Sequence, residues 1–140
     1  MRYVDTSVLV AYLTPEAGSL AAEAFMQSGG APLAISTWTE IELLSALGVK
    51  IRTGQLPRAG AEAVIDAYSH LVSPQLRHLP VDDMNQRQTL RLLDGWRTSL
   101  KAGDGLHLAI AASHGATIVT FDRGLASAAR ILGIPCDLLA

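Results

Sequence analysis

Cysteine occurs once in the 140 residues, at Cys136, and neither CxxC nor a Cys/His zinc spacing is present. An internal disulfide is excluded, and a reducing, cytosolic setting fits the chain best. Long apolar runs are also missing. Asp5 interrupts the amino-terminal MRYVDTSVLVAYL too early for a signal peptide, and His107, Ser113 and His114 break the longest candidate for a membrane span. A soluble, unexported protein is expected. Nor is there a strong excess of one charge. Eleven basic residues against thirteen acidic ones leave a formal net charge of -2, so the whole molecule has little attraction for polyanions and nucleic-acid binding would have to be local. No GxSxG nucleophile elbow and no GxxxxGKS/T phosphate loop occurs, which argues against a serine hydrolase of that type and against P-loop nucleotide binding.

Tight hairpin signals, internal repeats and linkers are absent as well. What the chain does have is a series of short apolar runs separated by helical patterns. Residues 2 to 4 read as a buried strand running into a helix through Asp5-Thr6-Ser7, with Thr6 and Ser7 available as caps. Helices are expected over Val8 to Leu13, Glu16 to Gln27, Thr37 to Arg52 and Ala59 to Leu71. A long one is expected from Asp82 or Asp83 to about Leu100, with Leu90, Leu93 and Trp96 on its inner side. Another runs from Gly103-Asp104 to Gly115, and a last one from Asp122 to Leu132. Further strands are expected at Leu33 to Ser36, Leu76 to Leu79, Ile118 to Thr120 and Cys136 to Leu138. Strands alternating with helices imply a mostly parallel sheet covered on both faces, a single three-layer α/β/α domain over residues 1–140.

Asp5 and Asp122 each follow a strand and precede a helix, and Asp104 begins one. Capping explains any one of them alone. Parallel strands, however, put their carboxyl ends on one edge of the sheet, so that Asp5 and Asp122 converge there. Clustered carboxylates repel unless a cation neutralises them, and an all-oxygen set suits Mg²⁺ or Mn²⁺. A fourth acid is available from Glu40 or Glu42; about 200° apart on a helix, they cannot both face one site, and periodicity does not choose between them. His107 stands one turn after Asp104 within an apolar run, as a hydrogen-bonded core or boundary histidine would. Arg87, Arg91, Arg97 and Lys101 form the best local basic patch, although a solvated helix face explains them at least as well.

Four segments, VDTSVLVAYL, IS followed six residues on by Glu42, GDGLHLAIA around Asp104 and IVTFDRGLA around Asp122, resemble in order those of PIN-domain ribonucleases of the VapC toxin type. The likeness extends over essentially the whole chain. It implies a PIN-like α/β/α sandwich with a five-stranded parallel sheet, and an acidic pocket that binds Mg²⁺ or Mn²⁺ and cuts RNA. On this resemblance Asp5, Glu42, Asp104 and Asp122 are the catalytic and metal-binding acids, and the family spacing from Ser36 selects Glu42 over Glu40. Thr6 and Thr120 match positions that commonly orient the acids or a metal-bound water. The resemblance further implies a second copy of the chain and a small antitoxin as partners. Other chemistries remain to be weighed. An aspartyl-phosphate phosphatase would use Asp5 but wants a second Asp two positions on, where Ser7 stands. A receiver-type signalling domain lacks its acid pair near the first strand. A non-catalytic metal- or RNA-binding module would keep the fold without turnover.

Overall fold

The computed structural model describes residues 1–140. Five strands form one sheet: β1 (Arg2–Val4), β2 (Leu33–Ser36), β3 (Arg77–Leu79), β4 (Thr117–Thr120) and β5 (Cys136–Leu138). They lie in the order β3-β2-β1-β4-β5, and every pairing is parallel. The helices are α1 (Thr6–Leu13), α2 (Ser19–Met26), α3 (Thr37–Arg52), α4 (Arg58–Ala67), α5 (Asp83–Leu93), α6 (Ala102–Ser113) and α7 (Arg123–Ile131). A π-helical turn, Tyr68–Val72, and a short 3₁₀ turn, Ser73–Gln75, lead from α4 to β3.

Successive strand residues point to opposite faces of a sheet, and here they feed two cores. Val4, Ile35 and Val119 pack with Val8, Leu9, Phe25, Leu43, Leu47 and Tyr68 on the side of α1 to α4. Tyr3, Ala34 and Ile118 pack with Leu108, Ile110, Leu125 and Ala129 on the side of α6 and α7. Near-continuous apolar strands such as LAIS and TIVT are what burial on both faces requires. The expected three-layer α/β/α architecture is therefore present, with a fully parallel sheet. No helix is long and apolar enough to cross a membrane.

The chain leaves β1 towards β2 on one side and returns as β4 on the other, so the strand order reverses between β1 and β4. Crevices that hold ligands in open α/β sheets form at such reversals, beyond the carboxyl ends of the strands. Asp5 directly follows β1 and Asp122 lies two residues beyond β4.

Several boundaries differ from the sequence reading. Asp5, not Thr6 or Ser7, is the N-cap of α1; its carboxylate accepts from the Ser7 backbone N–H at 3.4 Å. Helix α2 starts only at Ser19, and Ala59 to Leu71 divides into α4 and the π turn. The largest difference is α5, which ends at Leu93 rather than near Leu100. Gly95 (φ 80°) and Trp96 (φ 48°) are both left-handed and break the helix. The apolar spacing of Leu90, Leu93 and Trp96 is consequently not an inward stripe: Leu90 is 70% and Trp96 90% exposed. Along α3, Leu47 is buried while Ile41 and Leu44 face outward.

Candidate metal centre

Asp5, Thr6, Ser7, Glu42, Ser45, Ala46, Asp104 and Asp122 line one open cleft of about 300 Å³ at the strand-order reversal. Four chain segments supply its acids: the β1–α1 junction, the second turn of α3, the first turn of α6 and the N-cap of α7. All four acids expected from the sequence therefore line the same space.

Asp5 is held by hydroxyls. Ser7 Oγ donates to Asp5 Oδ2 at 2.6 Å and Thr120 Oγ1 donates to the same oxygen at 2.8 Å. Asp5 Oδ1 lies 3.5 Å from His107 Nε2. Glu42 accepts from the Thr6 hydroxyl at 2.8 Å and from His107 Nε2–H. Burial pushes the Glu42 carboxyl up, but the hydrogen bond from His107, the charge of that ring when protonated and the Thr6 hydroxyl outweigh it, leaving Glu42 below its ordinary value. Asp122 keeps its capping role, Oδ1 accepting from the Leu125 N–H at 3.0 Å, while its own N–H donates to Thr120 Oγ1 at 2.9 Å. Capping and lining the cleft are thus compatible for both Asp5 and Asp122.

Asp104 behaves differently. Its carboxyl is pushed up to about 6 by partial burial first, then by the charges of Asp5 and Asp122, with a smaller push from Glu42, against the opposing charge of His107. A carboxylate that its neighbours disfavour in this way is one that a cation would stabilise.

Glu40 and Glu42 separate as their helical angle demands. Glu40 accepts from the Tyr68 hydroxyl at 2.9 Å, away from the cleft. Tyr68, raised by burial and by Glu40, stays protonated as that donor. The choice between the two glutamates thus follows from which face of α3 meets α1.

Two neighbours carry more than the sequence suggested. His107 is fully buried, as a core histidine would be, yet one edge faces the acids. Its Nδ1 pairs with the Tyr3 hydroxyl at 2.7 Å, which also pairs with Ser36 Oγ at 2.7 Å and Thr39 Oγ1 at 3.2 Å. Burial pushes the Tyr3 hydroxyl up to about 12, so it remains a donor. The signal available was the three-residue spacing from Asp104, which puts both side chains on one helical face. Ser7 was visible only as a cap, and its hydroxyl reaches both Asp5 and the Phe121 N–H at 3.1 Å.

Asp5, Glu42 and His107 each offer an atom to a group whose members all lie within 4.8 Å of one another. Asp104 and Asp122 border the same cleft outside that group. The carboxylates of this set fit a hard divalent cation such as Mg²⁺ or Mn²⁺. For His107 to ligate, Nε2 would have to release the proton it gives to Glu42; in the arrangement described it acts as the donor that orients Glu42.

Comparison with known proteins returns one family model, the PIN domain, matching residues 2–131. Among solved structures, FitAcB from Neisseria gonorrhoeae superposes with a TM-score of 0.78 at 21% identity, covering 97% of this chain and 96% of that one. VapC20 from Mycobacterium tuberculosis, described as a sarcin-ricin loop cleaving toxin, gives 0.72 at 19% identity over 91% and 95%. VapBC2 from Rickettsia felis, bound to a DNA fragment from its promoter, gives 0.71 at 17% identity over the full length of both chains. No curated protein sequence matches the chain.

Proposed function

The chain belongs to the PIN-domain family, and from that premise we propose that it is a divalent-metal-dependent endoribonuclease acting as the toxin of a toxin-antitoxin pair. The observation that carries this reading is the convergence of Asp5, Glu42, Asp104 and Asp122 on one cleft at the strand-order reversal, with Asp104 raised by burial and by the charges of Asp5 and Asp122.

Asp5, Glu42 and Asp104 would hold the cation, with Asp122 adding negative charge at the rim and His107 behind Glu42. A divalent ion there would supply positive charge to the scissile phosphate and acidify a water molecule for in-line attack. The protein's own part is orientation. Ser7 and Thr120 fix one oxygen of Asp5 and leave the other turned towards His107. Thr6 and His107 fix Glu42 in its ionised form. Tyr3, through His107 Nδ1, ties this arrangement to Ser36 and Thr39 at the start of α3. Preorganised carboxylates lose little freedom when a ligand arrives, which favours binding.

RNA as substrate and a small antitoxin as partner are carried over from proteins of the same fold, since VapC20 is described as cutting the sarcin-ricin loop and a similar structure from Klebsiella pneumoniae is described as a toxin-antitoxin complex. A homodimer is part of the proposal. Leu20, Ile41 and Leu44 on α2 and α3 leave exposed apolar surface that a second copy could cover. Incubating the purified chain with total RNA and Mn²⁺ or Mg²⁺ tests the activity. Discrete products that vanish with EDTA are expected, and intact RNA with a folded, metal-loaded sample would refute the reading. A monomeric elution profile at micromolar concentration would remove the dimer.

A further inference from the structure

The loop between α5 and α6, residues 94 to 101, departs from the economy of the rest of the surface. Trp96 is 90% exposed, in a chain with only two tryptophans. It is also the one non-glycine residue with positive φ, at 48°. A bulky side chain in the left-handed region costs about 1 kcal/mol, which Gly at the same position would avoid. Neither burial nor backbone geometry therefore accounts for tryptophan here.

Its surroundings differ from the bulk charge of the molecule. Arg91 shares a groove with Trp96, Arg97 follows it in the chain and Lys101 ends the same loop; all three are exposed, against one exposed acid in the loop, Asp94. Neither Arg97 nor Lys101 forms an ion pair, whereas Arg87 is engaged with Asp83 at 2.7 Å. Beside the indole, Leu90, Arg91, Leu93 and Asp94 border a shallow groove of about 410 Å³. The loop feeds the first turn of α6, which carries Asp104, and that turn is pinned to α3 because Trp38 Nε1–H donates to Gly103 O at 3.1 Å. Asp104 lies eight positions after Trp96, a reach of at most about 28 Å.

An exposed indole flanked by unpaired cations suits an unpaired nucleobase with its neighbouring phosphates, because every base presents a π-face and arginine adds cation–π attraction. We infer that Trp96 stacks on an unpaired base of single-stranded RNA while Arg97 and Lys101 contact its backbone, so that this loop positions RNA beside the acid cleft. The inference rests on the ribonuclease reading and adds to it the surface that grips the substrate. Trp96 is a positioning residue.

The test is fluorescence anisotropy with a fluorescein-labelled single-stranded RNA of about 12 nucleotides and mixed sequence, in EDTA so that it is not cut. Trp96→Ala should weaken binding by about 5- to 150-fold, the equivalent of ~1–3 kcal/mol of stacking, and Trp96→Phe should restore most of it. The slope of log affinity against log salt should be unchanged in Trp96→Ala and flatter in the Arg97→Gln, Lys101→Gln double variant. Equal affinity of wild type and Trp96→Ala would overturn the inference. So would a change from dimer to monomer at unchanged RNA affinity, which would make the indole a contact between copies. Metal-dependent cleavage by the wild-type protein, measured in parallel, reports separately on the ribonuclease reading: if it persists alongside equal affinities, only the role of the loop has failed.

Discussion

Replacing Asp104 by Asn should stabilise the cation-free protein while removing its metal-dependent chemistry. The Asp104 carboxyl is pushed up to about 6 from an ordinary 3.8, so the fold disfavours its charge. Between those values the folded chain binds more protons than the unfolded one, and stability falls as pH rises through that window, levelling off above it. At full value the interval corresponds to about 3 kcal/mol. Asp104 is only partly buried, and solvent screening reduces this to roughly 1–2 kcal/mol. Loss of the favourable helix-dipole interaction in the first turn of α6 opposes the gain by ~0.5 kcal/mol. Capping is unaffected, because Asp104 is not the cap residue of α6. A net gain of about 1 kcal/mol should raise the melting temperature of Asp104→Asn by roughly 3–5 °C near pH 7.5 in EDTA. Near pH 4, where the native carboxyl is largely protonated, the two proteins should melt together. Adding Mn²⁺ should stabilise the wild type more than the variant. Thermal melts followed by circular dichroism at both pH values are sufficient. A variant less stable at neutral pH, or a difference independent of pH, would refute the claim that burial and the neighbouring acids disfavour the Asp104 charge.

Other expectations follow from the same geometry. Tyr3→Phe removes a buried hydroxyl shared by Ser36, Thr39 and His107 and should cost about 1–3 kcal/mol in urea denaturation; unchanged stability would show that the network is not maintained in solution. Glu42→Gln should abolish metal-dependent cleavage, whereas Glu40→Gln should leave it and only loosen the packing of Tyr68 on α3; the reverse order of effects in a cleavage assay would reassign the site glutamate. Gly103→Ala places a Cβ 3.1 Å from the Trp38 ring and 3.2 Å from Glu42 Oε2, so it should lower metal affinity, measured calorimetrically, without unfolding the chain. Trp96→Gly should relieve the left-handed backbone and raise stability by ~0.5–1 kcal/mol; a loss of stability would mean that the indole packs in solution.

The fold and most of the acid cleft were readable because two patterns reinforced each other. Strands ending just before Asp5 and two residues before Asp122 gave the edge of the sheet, and alternation with helices gave its parallel sense. What was not readable depended on contacts distant in sequence. Periodicity alone did not choose between Glu40 and Glu42, although the family spacing from Ser36 pointed to Glu42; the choice is set by how α3 packs on α1, with Thr6 and His107 on one side and Tyr68 on the other. His107 looked like an ordinary core residue because its neighbours Leu108, Ala109 and Ile110 are one, and only the fold turns its Nε2 towards Asp5 and Glu42. The end of α5 was misread because Leu90, Leu93 and Trp96 continue a helical spacing past Gly95, where the backbone has already left the helix.

The most direct test of the central claim is cleavage of total RNA by the purified protein in Mn²⁺ or Mg²⁺, beside an EDTA control and the Asp104→Asn variant. The account predicts discrete fragments from the wild type with metal and none from the other two. Fragments that persist in EDTA, or that Asp104→Asn produces as readily as the wild type, would contradict it.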